Sequence, residues 1–528
     1  MQLLEITIPE ALHRTATRLP QHLALVSRHQ GIRLTWEQLA AQVEKTAQGF
    51  AGLGLGAGDR IGMWASNCAE WVLVQLACAR IGAILINVNP AYRSHELRYV
   101  LERSGLKLLV LRDSDSRASY RAILEQALEG ATAALQHTVF IGDPSWQALL
   151  EGGCAIQPFP TSNHDVVNIQ YTSGTTGSPK GVMLTHRNLL NNAWLIGECL
   201  RSTESDVLVM PVPMYHCFGC VMASLQCVLR GATLVMPAAG FDALATMEAI
   251  DHERATILFG VPTMFIAQLE HAEFSQFDFS SLRTGIMAGA SCPIEVMRKV
   301  VELMNCREMT IAYGQTEASP VVTMSRVDDS MELRVATVGC AMPHTEVKIV
   351  GPDNQTLAPG EQGELCTRGY LVMNGYDQDP EATARAIDSD GWLHTGDLAT
   401  MREDGYYRIT GRLKDMVIRG GENIYPREIE EFFYTHPKVA DVQVFGVPDA
   451  KFGEALSAWI RLRSGESATE EEMREYCRSR ISYFKVPAYI RFVDSFPMTV
   501  TGKIQKFKMR EMEIETWNLG AAASIETA

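Results

Sequence analysis

Hydrophobic and polar residues alternate along this chain in two textures, with the change near residue 333. In the first, short apolar runs predict strands over 60–64, 83–88 and 107–111, with helices over 69–80 and 94–102. Leu39, Val43, Ala47 and Phe50 fall on one helical face, and Thr35 and Gln38 ahead of them have capping-box spacing. The same rhythm returns with strands over 207–210, 233–236, 255–259 and 284–288 and helices over 219–229 and 262–270. Strands separated by helices of this length predict parallel βαβ units and a large α/β domain. Beyond 333 the strands shorten (346–350, 363–368, 406–410) and Gly, Pro, Asp and Asn turns divide them, as in a small barrel-like subdomain. After Arg412 comes a compact α+β pattern: helices over 426–435 and 469–481, strands over 439–447 and 455–462. The expected domains are therefore 1–411, with two βαβ-type subdomains plus the barrel-like one, and 412–528.

Composition narrows what such a chain does. At 528 residues it exceeds a single ordinary core, so roughly two to four domains are expected. Its net charge of −15, with 47 basic against 62 acidic residues, argues against nucleic acid as a partner. A small anionic ligand needs only local positive charge and stays open. The apolar stretch 71–88 is interrupted by Gln75, Arg80 and Gly82, so it reads as a buried helix and strand and not as a membrane span. The first twenty residues carry no secretory or transit pattern, and the expected location is the cytoplasm. Twelve scattered cysteines fit reduced thiols. Cys217 and Cys220 form a CxxC, but no second ligand pair follows and the flanks are bulky and apolar, which argues against zinc.

Five polar, glycine-rich clusters stand out between the apolar strands. Residues 171–181, YTSGTTGSPKG, hold three glycines and five Ser or Thr before a helical segment opening near His186. Backbone N–H groups, hydroxyls and Lys180 together suit a polyphosphate cradle, although a mobile glycine loop reads equally well. It is not a Walker A loop, because Gly181 and not Ser or Thr follows Lys180. Tyr313, Gly314, Gln315, Thr316 and Glu317 combine a stacking ring, a phosphate donor and a hard-cation ligand, or form an ordinary capped turn. Asp397, within WLHTGD, suits two ribose hydroxyls or a tight turn. Arg412 and Lys414 lie in a charged segment that reads alternatively as a solvated linker, and Lys503 in TGKI reads alternatively as exposed surface.

In this order and spacing the clusters resemble the adenylate-forming superfamily of acyl-CoA synthetases, nonribosomal peptide adenylation domains and beetle luciferases, over nearly the whole chain. MYHCFG (214–219), AYGQTEASP (312–320), MPHTE (342–346), RGGENIYP (419–426) and TGKIQKFKMR (501–510) are most similar to medium-chain fatty acyl-CoA synthetases. The resemblance implies two half-reactions: acyl-AMP formation from an acid and Mg·ATP, then acyl transfer to coenzyme A. It makes Lys503 the adenylation lysine, Thr316 the α-phosphate donor and Glu317 the magnesium ligand. Thr172, Ser173, Gly174, Thr175, Thr176 and Gly177 match the phosphate loop, with Lys180 beside it. Tyr313 would stack on adenine, with Gly289, Ala290 and Ser291 along its edge and Gly314 and Gln315 adjoining. Asp397 and Arg412 would take the ribose. Lys414 matches the hinge of a mobile C-terminal domain, and Gly420, Gly421 and Glu422 match the coenzyme A tunnel. His216 matches an aromatic gate at the carboxylate end, and a core histidine is its other reading.

The acid pocket is expected within 212–222, 261–265 and 286–291. Cys217, Phe218, Val221, Met222, Val261, Met264 and Met287 line it without Arg or Lys, which favours an apolar tail over a dicarboxylate or amino acid. The expected activity is that of an acid–thiol ligase for medium- to long-chain fatty acids, using ATP, Mg2+ and coenzyme A. Alternatives are an aryl or terpenoid acid ligase, an enzyme loading a carrier protein, and a nucleotide sensor without turnover. No nucleic acid or transmembrane segment is expected, and a homodimer is the candidate assembly.

Overall fold

The computed structural model describes the chain apart from residues 1, 116–117, 133, 173–178, 290–291, 293, 420–421, 450–451, 479, 482, 500–503 and 520–528; for 414, 422, 423 and 483 it describes the backbone alone. Two compact units emerge: 1–347 with 367–394, and 348–366 with 395–528. The strand Tyr407–Arg412 pairs antiparallel with residues 397–401, and both lie in the second unit.

The first unit is built on two sheets. One has six strands in the order His137–Ile141, Leu108–Arg112, Arg60–Trp64, Ile84–Asn87, Val166–Thr172 and Lys180–Thr185. The first five run parallel, and only the last pair is antiparallel. The other sheet has nine strands, among them Thr233–Met236, Val207–Val209, Ile257–Gly260, Thr284–Ala288 and Glu308–Gly314, all parallel in that order. Sheets covered on both faces need strands that are apolar throughout, and Thr284–Ala288 and Thr233–Met236 are buried at every position. The covering helices follow the same logic. Trp36–Gly52 opens on the expected capping box, with Gln38 N–H donating to Thr35 Oγ1 and Thr35 N–H to Gln38 Oε1, and buries Leu39, Val43, Ala47 and Phe50. Ala69–Arg80 is buried on all sides, which is why it lacks an amphipathic stripe.

The four-stranded sheet expected as a barrel-like piece runs Thr345–Val350, Gln362–Gly369, Leu393–Met401 and Tyr407–Arg412. The second unit also holds the long antiparallel pair Val439–Asp449 and Gly453–Leu462 within a five-stranded sheet. Helices Pro426–Tyr434 and Glu470–Arg478 close its core around Phe433, Val444, Leu456, Met473 and Cys477. A helix that the pattern did not predict, Lys506–Thr516, buries Glu513 fully, where it accepts from the indoles of Trp459 and Trp517. Among the described residues no helix is long and apolar enough to cross a membrane.

Candidate active site

The glycine-rich loop joins the two strands of a hairpin. Val166–Thr172 and Lys180–Thr185 pair antiparallel, with Tyr171 opposite Gly181 and Thr172 opposite Lys180. The strand Lys180–Thr185 intervenes before the helix His186–Cys199, where the sequence pattern suggested only loop. Ser173, Gly174, Thr175, Thr176 and Gly177 lie outside the described residues, so the hairpin mouth is defined by Thr172 and Lys180. At that mouth Glu317 accepts a hydrogen bond from Tyr376 Oη at 3.0 Å and from Thr172 Oγ1 at 3.5 Å, both on Oε1. Glu317 enters no ion pair among the described residues, although it is only half-buried. Lys180 Nζ sits 5.1 Å from the centroid of the Tyr376 ring. Burial, with Glu317 alongside, pushes the Tyr376 phenol well above its ordinary value, so it stays a donor. Tyr376 was not anticipated: it lies in a turn-rich segment without periodicity.

Glu317 and Thr316 open a 3-10 turn, Thr316–Ala318, just beyond the parallel strand Glu308–Gly314. Tyr313, half-buried, and Gly289 lie next to the paired residues Ala312 and Ala288, at the carboxyl ends of neighbouring parallel strands. That is where open α/β sheets hold ligands. Gly289 has φ +86°, and a Cβ there would come within 3.2 Å of Val261 Cγ1. At Gly314 a Cβ would fall 1.8 Å from the Pro320 carbonyl oxygen, so the turn admits no side chain. Gln315 N–H donates to that same carbonyl. Ala290 and Ser291 lie outside the described residues.

The pocket expected for the acid is made of different material. The expected α-helix over 219–229 is a π-helix, Phe218–Leu225, passing into a short α-helix, Gln226–Arg230. Its residues are apolar on every face, so hydrophobic period did not distinguish the two windings. Gly219 is needed, because a Cβ would meet the Pro213 carbonyl oxygen at 2.4 Å. Cys217, Phe218, Val221, Met222, Val261, Met264 and Met287 are all buried. Phe218 packs against Phe259 with centroids 5.6 Å apart, and Met287 is paired with Gly260. Cys217 Sγ lies 4.0 Å from Thr316 Oγ1, which brings the acid end to the turn that carries Glu317. His216 is half-buried; its Nδ1 accepts from Phe218 N–H at 3.2 Å.

A relay of buried amides, absent from the sequence reading, fixes this segment from behind. Gln170 donates to Asn168, Asn168 to Asn87, and Asn87 to the Tyr215 carbonyl, at 2.7, 2.9 and 2.9 Å. Asn67 accepts from Met214 N–H and donates to the Val212 carbonyl. Cys220 Sγ lies 3.6 Å from Asn87 Nδ2 and 3.5 Å from Gln170 Nε2, and burial pushes its thiol far up.

In the second unit Asp397, buried, and Arg412, exposed, face each other across a strand pair, with Nε to Oδ1 at 2.9 Å. The Asp397 loop is braced by Gly396 N–H on Glu364 and Thr395 Oγ1 on the Leu365 carbonyl. Lys503, Gly420 and Gly421 lie outside the described residues; Lys414 falls in the 3-10 turn Leu413–Asp415 and Glu422 in the strand Glu422–Ile424.

Comparison with known proteins bears on this arrangement. The AMP-binding enzyme model matches residues 12–377, and the AMP-binding enzyme C-terminal domain model matches 428–503. YngI of Bacillus subtilis (strain 168), named as an acyl-CoA synthetase, is 49% identical over 547 residues, covering 99% of this chain and 100% of YngI. The mitochondrial medium-chain acyl-CoA ligase ACSF2 of Homo sapiens is 44% identical over 543 residues, 97% of this chain and 88% of that protein. Among solved structures, ATP-bound MatB from Rhodopseudomonas palustris superposes with a TM-score of 0.87 at 29% identity, over 97% of this chain and all of that one (100%).

Proposed function

The chain belongs to the AMP-binding enzyme family, and from that premise we propose how its residues share the reaction. It is an acyl-CoA synthetase. An acid carboxylate oxygen attacks the α-phosphorus of ATP, the bond to pyrophosphate breaks, and acyl-AMP forms; the thiol of coenzyme A then attacks the acyl carbonyl, loses its proton, and AMP leaves. In-line attack builds negative charge on the phosphate oxygens, so the protein's contribution is positioning and fixed positive or donor groups.

The observation that carries the assignment is the convergence of Thr172 and Tyr376 on Glu317 at the mouth of the glycine-rich hairpin. A half-buried carboxylate oriented by two neutral hydroxyl donors offers its oxygens to a hard cation. Magnesium, when bound with ATP, supplies neutralisation of the phosphate oxygens there. Thr172, Lys180 and the loop they flank would hold the β- and γ-phosphates, and Thr316 the α-phosphate. Tyr313 would stack on adenine beside Gly289, and Asp397 and Arg412 would take the ribose. Lys503 would bridge carboxylate and α-phosphate for adenylation, then withdraw about Lys414 while Gly420, Gly421 and Glu422 admit the thiol. His216 would gate the carboxylate end.

The acid is a medium- to long-chain fatty acid, because the buried lining from Cys217 to Met287 offers no cation for a second carboxylate. We place the protein in the cytoplasm, as a homodimer. The test is release of AMP across a panel of straight-chain, branched, aromatic and dicarboxylic acids with ATP and coenzyme A. Straight-chain acids are expected to dominate; preference for an aryl acid or dicarboxylate overturns the substrate reading. AMP release needing neither acid nor coenzyme A overturns the role assignments.

A further inference from the structure

The segment 372–383, which carries Tyr376, grips the hairpin and Glu317 together. Its backbone runs along the strand Lys180–Thr185: Asp377 N–H donates to the Gly181 carbonyl at 2.7 Å, Met183 N–H to the Gly375 carbonyl at 3.0 Å, and Asn374 N–H to the Met183 carbonyl at 2.9 Å. Met373 N–H donates to the Glu317 carbonyl at 2.9 Å. Asp377 is clamped by both guanidinium ends of Arg60, each at 2.8 Å, and Arg60 also donates to the Ser104 carbonyl. Gly375 has φ +117°, and a Cβ there would meet Thr383 Cγ2 at 2.9 Å, while Thr383 Oγ1 accepts from Tyr376 N–H. Tyr376 is therefore fixed before and after in the chain, with its hydroxyl on Glu317 Oε1 and its ring face toward Lys180.

We propose that Tyr376 is a positioning residue that orients the Glu317 carboxylate for a divalent cation with its hydroxyl, and steadies Lys180 against the nucleotide phosphates with its ring. The two contacts are separable on one side chain. A phenol donates one hydrogen bond without cancelling the carboxylate's charge, where an arginine or lysine in its place would compete with the cation. The ring attracts the Lys180 ammonium weakly, as a cation–π contact, and leaves its charge available. The proposal rests on the reading of Glu317 as the cation ligand.

The test titrates Mn2+ into protein holding the α,β-methylene analogue of ATP, read by water-proton relaxation, with analogue binding in the absence of divalent cation read by calorimetry. Tyr376→Phe keeps the ring and removes the hydroxyl: Mn2+ affinity is expected to fall about tenfold, with divalent-free analogue binding and Tm unchanged. Tyr376→Leu is expected to lose both Mn2+ affinity and part of the analogue binding. Wild-type Mn2+ affinity in Tyr376→Phe, with Glu317→Gln markedly weakened, overturns the proposal, and so does a lowered Tm with Mn2+ affinity intact. Unchanged Mn2+ affinity in Glu317→Gln overturns the underlying reading of Glu317 instead.

Discussion

The ends proposed here for phosphate and for acid meet at one short turn, where Thr316 faces Cys217 and Glu317 faces Thr172 and Tyr376. They are built on opposite principles. At the proposed phosphate end Thr172, Lys180, Glu317 and Tyr376 sit half-buried with Thr316 buried beside them, and Thr172, Glu317 and Tyr376 are joined by hydrogen bonds. At the proposed acid end the side chains other than the half-buried His216 are apolar and buried, and buried amides behind the lining fix Tyr215 and Met214. The difference predicts how each end fails. Loss of one atom at the phosphate end should change rate for every acid alike, whereas a change of volume at the acid end should change which acid is used.

The largest expected effect separates the two half-reactions. Lys503→Ala is expected to lower acyl-AMP formation about a thousandfold, measured by ATP–pyrophosphate exchange, while thioester formation from supplied acyl-AMP stays close to wild type. Equal loss of both steps would sink the assignment of the lysine to adenylation alone. Next in size is the clamp beneath the phosphate end. Asp377 is buried and its ion pair with Arg60 joins residues 317 positions apart in the chain. Asp377→Asn leaves the guanidinium without its counter-charge, and a loss of about 3 kcal/mol in urea unfolding is expected. A stable variant with unchanged activity would show the clamp to be dispensable.

At the proposed acid end, Met222→Ala removes a buried side chain from the π-helix Phe218–Leu225. Preference, as the ratio of kcat/KM for a longer over a shorter acid, is expected to move about tenfold toward the longer; a variant that loses activity evenly would contradict the lining. The smallest effect concerns His186, which begins the helix after the hairpin. Burial lowers its pKa to about 4, and its Nδ1 accepts from Ile8 N–H at 3.2 Å. Between the ordinary value near 6.5 and this lowered one, the unfolded chain binds a proton that the folded chain does not. Stability is therefore fully present above that window and falls as pH drops through it, by about 1.4 kcal/mol at pH 5.5. His186→Asn, whose side-chain oxygen replaces Nδ1, is expected to remove that slope from urea midpoints measured at pH 5.5 and 7.5.

What the sequence announced and what it concealed divide along similar lines. Apolar periodicity found the parallel strands around Arg60–Trp64 and Thr284–Ala288 and the helices beside them, because burial on both faces leaves a continuous signal. It missed Lys180–Thr185, a six-residue strand whose neighbour is a Gly, Ser and Thr loop, and it read a π-helix as α because Phe218–Leu225 is apolar on every face. Thr172, Lys180, Thr316 and Glu317 stood out as candidates from residue type and motif order, and the structure brings Thr172 onto Glu317. Tyr376 and the Asn87–Asn168–Gln170 relay were not, since their meaning depends on contacts between segments 59 to 133 residues apart.

The measurement that bears most directly on this contrast is ATP–pyrophosphate exchange by Glu317→Gln across a series of straight-chain acids. With the carboxylate assigned, as proposed, to the phosphate end, every acid should slow by one common factor, about a hundredfold, with the order of preference kept. A variant whose loss depends on the acid's length would contradict the separation of the two ends.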